Sequence, residues 1–188
     1  MLEFHRRRRN QRGGVRGLVE WVAVVVGAVV VALLVKTYLV QAFRIPSSSM
    51  EQTLQIGDRV MVNKLSYRFG EPSPGDVVVF TRPEGAGTDP TAPEDLIKRV
   101  IGVGGDTIAT VDGVLQRNGA PVDEPYLQPG TVTTGLEQPV TVPDGQLWVM
   151  GDNRTNSSDS RVFGPIPVDS VVGRAEVVMW PPGRFSRL

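Results

Sequence analysis

The 188-residue chain has no cysteine and a single histidine, and its 20 basic side chains balance 20 acidic ones. Disulfides, a thiolate nucleophile and a cysteine-ligated metal are excluded, and the length suits one anchoring segment plus one medium domain. The balance is uneven along the chain: residues 1–17 carry six arginines against Glu3, whereas from Gln41 onward 13 basic residues face 18 acidic ones.

The first element is apolar. From Trp21 to Val35 the sequence WVAVVVGAVVVALLV carries no charge. With its flanks the run over 18–40 reaches the ~20 residues needed to cross a bilayer as a helix. The arginines ahead of it predict a cytoplasmic N-terminus by the positive-inside rule. A cleaved signal peptide is the competing reading. It is disfavoured because the apolar run exceeds the usual core of about 7–15 residues and no small-x-small cleavage pattern follows it. A nucleic-acid role for the arginines is weaker still, since membrane-flanking arginines need no second explanation. The expected organisation is a basic cytoplasmic tail (1–17), a transmembrane helix (18–40) and an extracytoplasmic domain (41–188).

Beyond Pro46 short apolar runs alternate with Gly, Pro and Asp. GDRVMVNKL, GDVVVF, DLIKRVIGV, DTIATV, GVLQR, QLWVM and SVVGRAEVVMW are rich in β-branched residues and bounded by turn formers, so each predicts a strand. Asp112-Gly113 predicts a two-residue hairpin, and Asn118-Gly119 a second turn. The tracts 81–95 and 120–143 read as loops or small insertions. The expected fold is mostly β: an antiparallel domain on one N-terminal transmembrane helix.

Between the apolar run and the first strand stands FRIPSSSMEQTL, with three consecutive serines, Ser47 to Ser49. The serines make an ordinary turn or supply a nucleophile. The only histidine is His5, in the tail, so a Ser-His-Asp triad and a His-ligated zinc are excluded from the domain. Arginine stays protonated and cannot serve as base. A carboxylate, a tyrosine or a lysine remains, and there are three lysines: Lys36, Lys64 and Lys98. Lys36 sits at the membrane edge. Lys64 and Lys98 both fall in predicted strands, each on a face with apolar neighbours, where desolvation lowers an amine pKa. Alternation does not separate them.

The order PSSSMEQTL (46–54), GDRVMVNK (57–64), GDVVVF (75–80), IKRVIG (97–102) and GDNRTNSSDSR (151–161) resembles the type I signal peptidases. The resemblance runs from the membrane segment to about Pro167. It implies a membrane-bound serine endopeptidase that removes N-terminal signal peptides from exported precursors after small residues of the Ala-x-Ala type. By position, Ser49 matches the nucleophile and Lys98 the general base. Ser47 and the Ser49 N–H match the oxyanion hole, and Ser157 the serine that orients the lysine. Asp159 and Arg161 resemble a structural acid–base pair beside the site, and Asp152 and Arg154 look similarly structural. Ile45, Met50, Leu54 and Ile97 fall where such enzymes line shallow pockets for small side chains. Gln52 replaces a usual proline, at small expected cost, and Ser48 a common glycine.

The resemblance further implies no metal or cofactor, no nucleic-acid partner, a monomer, and a single-pass location in the plasma membrane with precursors and lipid as partners. Two other readings remain: a cytosolic self-cleaving Ser-Lys protein of the repressor type, and an anchored β scaffold without catalysis.

Overall fold

A computed structural model describes residues 7–68, 70–87 and 93–188. His5 and the rest of residues 1–6 lie outside the described residues, as do the side chains of 7–16 and 34–38. Two compact units divide the chain, Met1–Val40 and Gln41–Leu188.

The first unit carries a helix, α1 (Arg7–Tyr38), which begins well ahead of Leu18 and takes in much of the expected tail. Its large apolar side chains from Leu18 to Leu33 are exposed. Among the described residues no helix is long and apolar enough to cross a membrane. The span expected over 18–40 is thus not shown.

The second unit is antiparallel β. Strands β1 (Val40–Arg44), β2 (Arg59–Asn63), β3 (Val77–Thr81), β4 (Asp95–Val103), β5 (Thr107–Val111), β6 (Val114–Arg117), β7 (Ala120–Pro121), β8 (Val140–Thr141), β9 (Gln146–Met150), β10 (Ile166–Pro167), β11 (Val171–Trp180) and β12 (Ser186–Arg187) follow in chain order. A short helix, α2 (Ser160–Phe163), precedes β10. One sheet runs β1-β2-β11-β3-β4-β9-β10 with β12 beside β11, and a second runs β7-β6-β5-β8. Every run read as a strand holds all or most of one, and β4 and β9 have the bounds of their apolar runs.

Alternation predicts one apolar face per strand, yet the main sheet is buried on both. In β3, Val77 and Val79 join a core with Ile45, Met50 and Leu54, whereas Val78 and Phe80 join another with Val100, Leu147 and Ile166. The chain before β2 covers one face, and α2 with the segment after it covers the other. A third cluster, around Trp148, Ile108 and Leu115, joins the second sheet to β4 and β9. One expectation needs correction. Strand β2 ends at Asn63, whose Oδ1 accepts the Leu65 N–H at 2.9 Å, so Lys64 lies in a half-buried bend and not in a strand.

The two turns read from sequence are present. Asp112-Gly113 (φ 51° and 79°) joins β5 to β6, pairing Val111 with Val114. Asn118-Gly119 (φ 55° and 79°) joins β6 to β7. Positive φ at both central residues matches the right-handed twist of the strands. A Cβ at Gly119 would meet nothing within 4 Å, whereas one at Gly113 would lie 2.6 Å from Val132 Cγ1. Gly119→Ala is therefore expected to cost about 1–2 kcal/mol for its left-handed backbone alone. Gly113→Ala should lower the melting temperature further, and equal shifts would deny the Val132 contact.

Candidate active site

The three serines sit on a turn held by what lies beneath it. The backbone enters through Ile45, whose N–H donates to Asp58 O at 2.9 Å and whose carbonyl accepts from Gly57 N–H at 2.8 Å. It leaves through one tight turn, Leu54 N–H to Met50 O at 2.7 Å. Ile45, Met50 and Leu54 are 2%, 0% and 0% exposed, and they plug the turn into the core. Of the four residues expected to line substrate pockets, these three thus lie inside the fold, and only Ile97 reaches the cleft described below.

Gln52 departs from expectation as well. Its φ of 97° is closed to proline, whose ring holds φ near −65°. In this turn the glutamine is no loosened proline: the backbone takes a conformation that proline cannot adopt.

Lys98 lies mid-strand in β4, 3% exposed, and Ser49 is 9% exposed. The Lys98 Nζ donates to Ser49 Oγ at 2.7 Å and to the Ile97 carbonyl at 3.0 Å. Ser47 Oγ is 3.4 Å from Ser49 Oγ. The Ser48 hydroxyl is engaged elsewhere, accepting from Asn156 Nδ2 at 3.0 Å. Burial strips water from the Lys98 ammonium and lowers its pKa from 10.5 to about 8, while the negative charges of Asp159 and Asp152 oppose that shift.

Both carboxylates are held by arginines. Asp152 takes a two-point contact from Arg99, Nε to Oδ1 at 3.0 Å and Nη2 to Oδ2 at 2.7 Å. It also accepts from Thr53 Oγ1 at 2.5 Å. Asp159 takes the same fork from Arg161, at 2.9 and 2.8 Å, and accepts the Gly151 N–H at 3.0 Å. Burial alone would raise the Asp159 carboxyl, but its bonds with Arg161 and Gly151 hold it below the ordinary carboxylate value. Asp152 and Arg154 are not paired with each other: Arg154 binds Glu124.

The loop 151–161 presses on the serine turn from above. The Asn153 N–H donates to Ser49 O at 3.0 Å, and its side chain donates to Ser48 O at 3.1 Å. Gly151 allows that approach, since a Cβ there would overlap both Ser157 Oγ and Ser49 O. Ser157 Oγ is buried without a hydrogen-bond partner and is not bonded to Lys98. Its hydroxyl adds to the field around Asp159 but has no bonding geometry there.

An open cleft of about 280 Å3 exposes the pair, walled by Leu96, Ile97 and Pro46 with Ser47, Ser49 and Lys98 at its floor. Along it runs an uncovered strand edge. Strand β9 pairs with Arg99–Val103, whereas Asp95–Lys98 pair only with β3 among the described residues. Glu94 and Val100 direct their backbone bonds toward the β3 side, so Asp95 and Ile97 direct theirs toward the open side. A buried hydroxyl beside an amine of depressed pKa can exchange a proton, and the open edge can hold an extended peptide across them. Among the described residues no three or more His, Cys, Asp or Glu side chains cluster as metal ligands would.

Sequence reasoning did not find Glu124, Tyr126, Thr133 or the Thr53–Asp152 bond. Glu124 to Thr133 fall in a tract read as a loop, and although Thr53 and Asp152 each lie in a quoted motif, nothing in the sequence pairs them.

The burial of Lys98 has a cost that depends on pH. Its folded pKa is depressed, so the penalty is full below about pH 8 and vanishes as pH rises to 10.5. The shift corresponds to about 3 kcal/mol. Lys98→Met should therefore gain in stability relative to the parent at pH 7, and that gain should shrink by about this amount by pH 10.5. Chemical denaturation at the two pH values measures it, and a difference independent of pH would contradict the desolvated amine.

Residues 18–180 match the family model described as signal peptidase, peptidase S26. Signal peptidase I of Mycobacterium tuberculosis is 40% identical over 217 residues, spanning 89% of this chain and 74% of its own. Signal peptidase I of Leptolyngbya laminosa is 40% identical over 173 residues, spanning 91% and 84%. The thylakoidal processing peptidase 1 of Arabidopsis thaliana is 37% identical over 85% of this chain and 47% of its own. With a family match across most of its length and relatives at this identity, the chain belongs to the signal peptidase family, peptidase S26.

Proposed function

We propose that the enzyme cuts N-terminal signal peptides from exported precursors after small residues of the Ala-x-Ala type, using Ser49 as nucleophile and Lys98 as base, from a membrane anchor. The observation that carries this reading is the 2.7 Å contact between Ser49 Oγ and a lysine amine that is 3% exposed, with its pKa lowered to about 8.

The neutral Lys98 amine takes the Ser49 proton as Oγ attacks the scissile carbonyl. The new ammonium then gives that proton to the leaving amine, and an acyl-enzyme remains. Lys98, neutral again, takes a proton from the water that attacks the ester, and its ammonium returns that proton to Ser49 Oγ as the acyl–oxygen bond breaks. Ser47 Oγ and the Ser49 N–H face the oxyanion, and one such donor is worth about 2.7–4 kcal/mol. The Ser157 hydroxyl is available to fix the amine as its partner changes charge. The precursor lies extended along Asp95–Lys98, where Leu96 and Ile97 leave room for small side chains.

The exposed apolar side chains of α1, from Leu18 to Leu33, support the anchor, since hydrocarbon is the medium that takes up such a surface. The arginines before it support a cytoplasmic N-terminus. Ser49 follows Val40 by nine residues, which sets the site close behind the anchor in the chain, where signal peptides leave the bilayer.

The test is cleavage of a secretory precursor with an Ala-x-Ala site by the detergent-solubilised chain. Parent and Ser48→Ala should cut after the second alanine, whereas Ser49→Ala and Lys98→Met should lose at least 1,000-fold in kcat, about 4 kcal/mol of barrier. The kcat of the parent should rise with pH through about 8. Retained cleavage by Ser49→Ala, or an acidic optimum, would end the Ser-Lys mechanism.

A further inference from the structure

The segment between β7 and β8 carries no regular structure over residues 122–139 and belongs by connection to the second sheet. Its side chains nevertheless reach across to the elements around Ser49 and Lys98. Glu124 grips Arg154 through both carboxylate oxygens, Oε2 at 3.1 Å from Nη1 and Oε1 in a closer contact with Nη2. Tyr126 OH donates to Glu124 Oε1 at 2.9 Å. Thr133 Oγ1 accepts from Arg154 Nη1 at 2.7 Å. The Tyr126 ring lies under the Arg99 guanidinium, 3.8 Å from it. Thr134 O accepts from Arg161 Nη1 at 3.1 Å, and Gln128 Nε2 donates to Gln52 Oε1 at 2.8 Å.

Several of these contacts end on residues that adjoin, or pack against, the elements carrying Ser49 and Lys98. Arg154 Nε donates to the carbonyl of Gly151, the residue packed on Ser49 O. Arg99 adjoins Lys98 and binds Asp152. Arg161 binds Asp159. Gln52 lies in the serine turn. The segment is itself fixed to the second sheet by the Thr133 N–H on Gly113 O at 2.9 Å. Arg154 and Thr133 are 3% and 1% exposed, so the contact between them is shielded from water.

On this basis we infer that the Glu124–Thr134 strap, through Glu124 on Arg154, holds the 151–161 loop against the serine turn and so sets the Ser49–Lys98 distance. Glu124 is a positioning residue for catalysis. The strap lines no part of the cleft around Ser49 and Lys98, so substrate binding does not pass through it. The inference rests on the Ser49–Lys98 reading of the site.

The experiment is steady-state kinetics of the full-length chain in detergent, on a precursor with an Ala-x-Ala site, for Glu124→Gln, Glu124→Asp and Thr133→Val. Glu124→Gln should lower kcat at least tenfold with KM within twofold, because a contact felt only by the reacting groups leaves binding intact. Glu124→Asp should recover at least a third of the parental kcat, since it restores the charge at shorter reach. Parental kcat in Glu124→Gln, or a rise in KM that accounts for the whole loss, would overturn the inference. If Glu124→Gln does not fold, Thr133→Val decides, because it keeps both charges and the side-chain shape. A threefold or greater fall in its kcat at constant KM upholds the strap, and parental kcat overturns it. Ser49→Ala and Lys98→Met are run alongside. If they cleave, the dyad reading fails; if they are inert while the strap variants match the parent, the strap inference alone fails.

Discussion

A lysine amine kept out of water beside a serine hydroxyl is the constraint on which the rest of the molecule depends. An ammonium in bulk water is a poor base at neutral pH, and desolvation is the route by which this fold changes that. Lys98 is placed mid-strand in a sheet covered on both faces, 3% exposed, with Ser49 Oγ and the Ile97 carbonyl as its hydrogen-bond partners among the described residues. The double coverage of β3 and β4 is therefore more than core packing. A sheet with one wet face would have left the amine hydrated and its pKa near 10.5.

The surrounding charges are arranged so that burial is not undone. Asp152 and Asp159 are the carboxylates whose fields favour the charged amine. Neither bonds to Lys98. Each is forked by an arginine, Asp152 by Arg99 and Asp159 by Arg161, which satisfies its oxygens and offsets its charge. Asp152 also fastens the loop 151–161 to β4 through Arg99 and to the turn that carries Ser49 through Thr53, whereas the Asp159–Arg161 pair braces the loop from within. Buried ion pairs are doubtful sources of stability, because desolvating both partners offsets much of their attraction. Their use here is geometric: they fix a polar loop at contact distance from the reacting atoms.

Much of this was legible in the sequence. Turn residues bounded the strands well, because Asp112-Gly113 and Asn118-Gly119 leave few backbone alternatives, and β-branched runs such as DLIKRVIGV reproduced their strand bounds. The resemblance in motif order drew Ser49 and Lys98 out of three serines and three lysines, and the fold brings those two to 2.7 Å. Alternation failed where the sheet has two dry faces, so it could not separate Lys98 from Lys64. It misplaced Lys64 because Asn63 ends the strand with a side-chain bond. Met50 and Leu54 look like pocket residues by their closeness in sequence to Ser49, yet a turn that projects a serine outward has to send its apolar neighbours inward. Glu124 and Thr133 were illegible for a different reason. Their partners lie 30 and 21 residues away, in a tract with no period.

The pKa of the Lys98 amine tests the central claim most directly. The chain has only three lysines, so 13Cε-lysine labelling of the intact protein in detergent gives few resonances, and Lys98→Met identifies the one that matters. A midpoint near 8 is expected, as the desolvated amine requires. A midpoint at the ordinary 10.5 would mean that the amine stays charged at working pH and cannot be the base for Ser49.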